Sequence, residues 1–383
     1  MSRTASRLVA AGALAFGLSF IAQPSHAQDV IKIGAGAPLT GQIAKQGQEV
    51  ANAVKLAAED WNKKGGVLGK KIEVVELDDQ GNPQVGVAAA EKAATDPAMM
   101  GTVWGITSVT CIPASEVLDR SSIVLITPGC TNPKVTDRGL KTVERVCARD
   151  DLQGPAGLYY MVKTLGMKKV AVFDDGTTGP RGVADAVEAE GKKLGVTILR
   201  YVIRAGDKDF RSILGTIPKD VDGIYAGIWA PDAALIAKQL PDVGLNVRML
   251  GPDGLFEPVD YIQASAGAAD GNYVTFLVPD VRKIAAAQDF IKGFEAKYGT
   301  LSSYGPLAYE GASILLTAIQ KVGKMDRAAI RDAVRATTDY KGILGVPITF
   351  DDKGDVKGAQ IYIYQVKGDH FEQLGVVSLP PEG

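Results

Sequence analysis

From Val30 to Val366 the chain alternates short β-rich runs with longer stretches of helical period. This order limits the fold more than any other feature, because parallel strands need a crossover between them and a helix supplies it. Strands are expected at Val30–Ala37, Ile72–Leu77, Thr102–Ile106 and Ile123–Thr127, with helices at Ile43–Lys64, Val85–Thr95 and Pro113–Arg120 between them. Gly65-Gly66 ends the first helix, and "DDQGNP" is a turn. After "VCARDD" the pattern restarts. Helices at Pro155–Leu165, Arg181–Leu194, Phe210–Ile217 and Pro231–Val243 alternate with strands at Lys169–Phe173, Thr197–Ile203, Gly223–Ala226 and Arg248–Leu250. A strand at Tyr273–Phe276, helices at Ile284–Tyr298, Leu307–Val322 and Arg327–Ala336, and strands at Val346–Phe350 and Ile361–Val366 complete the chain. The expectation is α/β: two lobes with parallel sheets flanked by helices, without low complexity or internal repeats.

The N-terminus is expected to lie outside this fold. Arg3 and Arg7 form a basic region, Leu8 to Ile21 is apolar, and Ser25-His26-Ala27 has the small-residue character of a cleavage site. Cleavage after Ala27 leaves about 356 residues starting at Gln28, enough for two cores rather than one. Of 42 basic residues, losing the two arginines leaves 40 against 44 acidic ones, a formal charge of −4. That balance argues against a nucleic-acid partner. Cys111, Cys130 and Cys147 are an odd set, so at most one disulfide and one free thiol are expected; Cys111 and Cys130, each just past a strand, are the favoured pair. After cleavage the one histidine is His370, in the polar hairpin tip "VKGDHFEQL". Histidine-assisted nucleophiles and histidine metal sites are therefore poorly supported, and neither a metal nor a cofactor is implied.

Phosphate loops fail on inspection. "GAGAPLTG" has Leu39 where a third glycine belongs, and lacks the Lys-Ser/Thr of a P-loop. "TSVTC" is no G-x-S-x-G elbow. Two turns remain of interest. "TSVTCIPAS" and "LITPGCTNP" follow successive strands, and open α/β sheets bind ligands at the C-terminal ends of their strands. Ser108 and Thr131, with backbone N–H groups, would face one crevice and suit a carboxylate; each alone reads equally as a helix cap. In the second half, Asp253 in "MLGPDGLF" and Trp229 in "IYAGIWAPD" also follow strands, and Tyr304 lies in the loop "SSYGP". A turn aspartate, a core tryptophan and a surface tyrosine are the plain alternatives.

Taken together in order, "IKIGAGAPLTG", "NKKGGVLGKKIEVVELDDQGNP", "IPAS", "ITPGCTNPKVTDRG", "RDDLQGP" and "GPDG" resemble the periplasmic leucine/isoleucine/valine-binding family of ABC transporters. The resemblance implies a type I periplasmic binding protein, monomeric, whose two Rossmann-like lobes close on a ligand about three crossings near Cys147–Asp151, Phe276–Pro279 and Phe350–Gly354. The lobes would be 28–149 with 277–352 and 150–276 with 353–383. It also implies that Ser108 and Thr131, with the neighbouring Thr107, Gly129 and Cys130, hold an α-carboxylate. Asp253 would face the α-ammonium, and Trp229 and Tyr304 would wall the side chain. Gln46 and Gly179 stand where the family often has tyrosine, so one pocket wall is missing; Gly81 and Thr107 stand where some members have a cysteine pair. The expected function is solute capture for a permease in the inner membrane, with a branched-chain or larger hydrophobic amino acid as ligand. An aromatic carboxylate is the second candidate. A secreted hydrolase using Ser108 or Cys111 is a third, and a sensor for another protein a fourth.

Overall fold

The computed structural model describes residues 30–380, so the expected leader and its cleavage site lie outside the described residues. The first layer set runs β1 (Ile31–Ala37), α1 (Ala44–Lys63), β2 (Ile72–Asp78), α2 (Pro83–Thr95), β3 (Met99–Trp104), α3 (Ser108–Arg120), β4 (Val124–Thr127), α4 (Lys134–Asp137) and β5 (Val143–Arg145). Its sheet has the order β2-β1-β3-β4-β5, and every pairing is parallel. The second set runs α5 (Asp150–Lys163), β6 (Lys169–Asp174), α6 (Thr178–Leu194), β7 (Thr197–Val202), α7 (Arg211–Leu214), β8 (Gly223–Ala226), α8 (Ala230–Gln239), β9 (Arg248–Gly251) and β10 (Tyr273–Phe276). The chain then returns to the first sheet, where α9 (Gln288–Tyr298) and α10 (Gly305–Val322) pack on α1 and α11 (Arg327–Arg335) packs on β4. It ends on the second sheet with β11 (Ile361–Lys367) and β12 (His370–Val377). The polypeptide thus passes three times between two α/β lobes.

The second sheet has the order β12-β11-β10-β9-β8-β6-β7. It is parallel from β7 to β10, but β11 runs antiparallel to β10 and β12 antiparallel to β11, so it is mixed where an all-parallel sheet was expected. A two-residue hairpin joins β11 to β12 and needs no crossover helix. His370 sits at that tip with its side chain 65 % exposed, as expected. Among the described residues no helix is long and apolar enough to cross a membrane.

Three local expectations are corrected. Val346–Phe350 is no strand; it makes only isolated bridges, Tyr340 with Ile348 and Phe350 with Val356. Pro347 lies mid-segment and has no N–H for a ladder. The expected helix at Phe210–Ile217 is the single turn α7. Helices α3 and α5 begin at Ser108 and Asp150, five residues before Pro113 and Pro155, which were read as first-turn residues. Proline favours the first turn because it lacks an N–H, yet it is tolerated further in at the loss of one bond to the carbonyl four residues back. Both early starts place a polar side chain at a helix N-terminus, next to the loops that follow β3 and β4.

Candidate functional site

The two sheets present the C-terminal ends of their strands to one another, where open α/β sheets hold ligands. β3 and β4 contribute from the first lobe, and β6, β8 and β9 from the second. Between them lies a cavity lined from both lobes. Ser108, Gly129, Thr131, Gly179, Trp229 and Asp253 all line it, so six of the ten expected site residues meet. Thr107 lines the adjoining cleft, with Ser108, Gly179 and Trp229. The lobes are closed on one another: the Gln42 amide donates to Asp232 Oδ2 at 3.0 Å, and the Asn132 amide donates to the Thr178 carbonyl at 3.0 Å.

On the first-lobe wall, β3 is followed by Gly105, whose φ is +85°. A Cβ there would stand 2.4 Å from Cys111 Sγ and 2.7 Å from Cys130 Sγ, so only glycine fits beneath the Cys111–Cys130 disulfide. That disulfide, the favoured pairing, ties the first turn of α3 to the loop after β4; Cys147 is free and buried. Thr107 caps α3 by conformation, and its hydroxyl meets that of Thr110 at 2.9 Å. Thr110 in turn donates to Asp79 Oδ2 at 2.8 Å, as does the Trp104 indole at 3.0 Å. Ser108 Oγ accepts the Asn132 amide at 3.2 Å, which leaves its own hydrogen for the cavity. The Ser108 and Val109 amides open the helix and have no intrahelical acceptor.

The β4 turn is less free than expected. Thr127 Oγ1 accepts the Cys130 amide at 2.9 Å and the Gly129 amide at 3.3 Å, so those N–H groups are engaged. From behind, the buried Arg145 guanidinium donates to the Cys130 and Asn132 carbonyls at 2.9 and 3.0 Å, and pairs with Asp355 at 2.7 Å. The Thr131 side chain is therefore held on a braced turn.

On the second-lobe wall, Trp229 is the residue before α8, and its ring lies over Gly254, where a Cβ would approach it to 3.2 Å. Gly179 sits in the first turn of α6; a Cβ there would lie 3.9 Å from Ser108 Oγ, so the two residues face each other across the cleft. Asp253 is buried, and burial pushes its carboxyl up to about 6 against the Tyr304 hydrogen bond that pulls it down. Tyr304 is not a wall of the cavity. It lies fully buried behind Asp253 and donates its hydroxyl to Oδ2 at 2.5 Å. Its ring occupies the space where a Gly129 side chain would stand, 2.7 Å from that Cβ. Gln46 likewise stays outside the lining; it is buried and its amide reaches the Gly254 carbonyl at 3.5 Å. Cys130 is consumed by the disulfide.

The structure adds Asp150, which sequence reading passed over. It lines the cavity as the first residue of α5, and its Oδ2 is buried without a hydrogen-bond partner. Burial, with repulsion from Asp253, raises its carboxyl to about 7. With the helix expected to start at Pro155, the two acids of "RDDLQGP" fell in the crossing before it, and the misplaced start hid Asp150. Ile106, Pro180, Val183 and Ile228 supply an apolar lining. The cavity thus offers hydroxyls and helix N–H groups on one side, carboxyls on the other, and apolar surface between.

A model of periplasmic binding proteins matches residues 30–370. The chain is 33% identical over 338 residues to the Leu/Ile/Val-binding protein BraC3 of Rhizobium johnstonii, covering 88% of this chain and 91% of that one. It is 31% identical over 365 residues to a leucine-, isoleucine-, valine-, threonine- and alanine-binding protein of Pseudomonas aeruginosa, covering 94% and 95%. The crystal structure of the leucine-binding protein LivK from Thermotoga maritima superposes with a TM-score of 0.84 at 28% identity, covering 91% of this chain and 99% of that one.

Proposed function

This chain belongs to the periplasmic binding protein family, and we propose that it captures a hydrophobic amino acid between its lobes for an ABC importer. It is exported with its leader removed after Ala27, and in the closed state it docks as a monomer on a permease of the inner membrane. Ser108, Thr131 and the first amides of α3 hold the α-carboxylate. Asp253 takes the α-ammonium, positioned by Tyr304. The side chain lies against Trp229, Ile228 and Val183, with room toward Gly179 for a branched-chain or larger group. The observation that carries this reading is the meeting of Ser108 and Thr131 with Asp253 in one cavity from opposite lobes. A zwitterion spanning the cleft binds the closed form better than the open one, and that difference drives closure.

An aromatic carboxylate fits less well. It would add a third negative group to a cavity already lined by Asp150 and Asp253, with no ammonium to pair them. Hydrolysis through Cys111 finds no thiolate in a disulfide. The test is a thermal-shift and calorimetric panel on ligand-stripped protein: leucine, isoleucine, valine, phenylalanine and benzoate. A bound ligand at a hundred times its Kd adds about 2.7 kcal/mol. Binding of the amino acids, lost in Asp253→Ala, is the expected result. A response to benzoate alone, kept in Asp253→Ala, would overturn the ligand assignment.

A further inference from the structure

Beside the cavity, a second polar bridge spans the lobes. Glu49 lies on α1 and Ser302 in the turn between α9 and α10, both on the first lobe. Glu257 follows β9 on the second lobe. Ser302 Oγ contacts Glu49 Oε2 and lies 2.8 Å from Glu257 Oε2. Glu257 is fully buried and Glu49 nearly so.

A hydroxyl carries one hydrogen. It donates to one of these carboxyls, and its lone pairs then require a donor from the other. Glu49 is well supplied with other donors: the Ser302 amide reaches Oε2 at 3.0 Å and the Gly305 amide reaches Oε1 at 2.7 Å. Such amides favour an ionised carboxylate. Apart from Ser302, the donor recorded for Glu257 is the Val259 amide, long at 3.4 Å. The shared hydrogen therefore goes to Glu49, and Glu257 must bring its own.

We propose that Glu257 enters the closed state as a carboxylic acid, donating to Ser302 Oγ while Ser302 donates to Glu49, so that closure takes up one proton. This rests on the reading of the chain as a receptor that closes on its ligand. The charged groups around the bridge are Glu49 on α1, Asp260 in the helical turn after Glu257, and Asp280, Arg282, Asp369 and His370 along the groove that Ser302 also lines. Of these, Arg282 is engaged by Glu295 and His370 contacts Asp369, so neither is left to pair with Glu257. Burial, with repulsion from Glu49, holds Glu257 at about 7 in the closed form. When the lobes part, water reaches it and its pKa returns to the ordinary value of about 4.3. The closed state therefore holds a proton that the open state lacks between these values. The resulting gain in affinity is complete below the lower value and is lost as pH rises through about 7.

The experiment is leucine calorimetry on the intact protein and on Glu257→Gln at pH 5, 6, 7 and 8. The glutamine amide donates to Ser302 at every pH, so it mimics the protonated acid. The ratio of wild-type to Glu257→Gln affinity is expected to fall roughly tenfold or more from pH 5 to pH 8. Using the ratio cancels the titration of Asp150 and Asp253, which both proteins share. A ratio constant with pH would overturn the proposal. If leucine binds neither protein, the ligand assignment fails, and the proton is then read on ligand-free protein by small-angle scattering. A radius of gyration that shrinks as pH falls in wild type, but not in Glu257→Gln, supports the bridge. The same pH response in both proteins, or none in either, overturns it.

Discussion

Tyr304 of the first lobe donates its hydroxyl to Asp253 Oδ2 of the second across 2.5 Å, with both side chains buried. The tyrosine therefore holds the acid rather than touching the ligand, and it joins the lobes only when they are closed. Tyr304→Phe keeps the ring against Gly129 and removes this one bond. A hydrogen bond to a charged group contributes about 1.5–3 kcal/mol. Leucine affinity is expected to fall by roughly tenfold to a hundredfold on that basis, with the unfolding midpoint of the ligand-free protein little changed. Calorimetry beside urea denaturation separates the two; an unaltered leucine affinity would show that the bond does not serve binding.

The Cys111–Cys130 disulfide joins positions 19 apart in sequence, with Ser108 three residues before one end and Thr131 just beyond the other. A loop of that size contributes about 3 kcal/mol by restricting the unfolded chain. The double variant Cys111→Ala, Cys130→Ala is expected to lose about that much in urea denaturation. Burial raises the Cys147 thiol well above its ordinary value, so an aromatic disulfide reagent should find no reactive thiol in the native protein and one after unfolding. A native thiol that reacts promptly would contradict this.

Gly179 faces Ser108 across the cleft, where even a Cβ would stand 3.9 Å from Ser108 Oγ. Gly179→Tyr places a ring in the cavity. Phenylalanine binding is expected to weaken by tenfold or more, about 1.4 kcal/mol, while valine is affected less. Competition of both ligands against labelled leucine reads the ratio. Equal losses for both would place the side chain elsewhere in the cavity.

Burial lifts several carboxyls above the ordinary range, among them Asp150 to about 7, Asp253 to about 6 and Glu144 to about 8. In the unfolded chain such groups titrate near 4. Asp150 and Asp253 line the cleft and meet water when the lobes part, whereas Glu144, on β5, stays buried within the first lobe. The folded, ligand-free protein therefore holds a proton on Glu144 that the unfolded chain releases, and this contribution to stability is lost as pH rises through about 8. The urea midpoint should fall toward pH 8, and Glu144→Gln should flatten the fall. A midpoint that rises from pH 5 to pH 8 would show that Glu144 is ionised in the folded protein.

Much of this molecule is written locally. Alternation of strand and helix, the glycine turns and the polar residues just past strand ends follow from side-chain period and turn chemistry over a few neighbours. That is why Ser108, Thr131, Trp229 and Asp253 were legible in the sequence: a residue after a parallel strand has little choice but the C-terminal edge. Pro113 and Pro155 mark the limit of local reading. Each suits a first turn, yet helix α3 starts earlier, where Thr110 binds Asp79, a residue 31 positions away, and the same shift in α5 concealed Asp150.

What only the tertiary structure decided is which side chains touch the cavity and which stand behind it. Tyr304 meets Asp253 over 51 positions, Gln46 meets Gly254 over 208, and Ser302 joins Glu49 to Glu257 over 253 and 45. The sequence alone determined two α/β lobes with their binding turns on facing edges, because those depend on short-range periodicity and packing. The direction of each buried hydroxyl and the protonation of each buried acid were decided by the closed fold, because burial and distant partners set the energy of a charge and no local pattern encodes them.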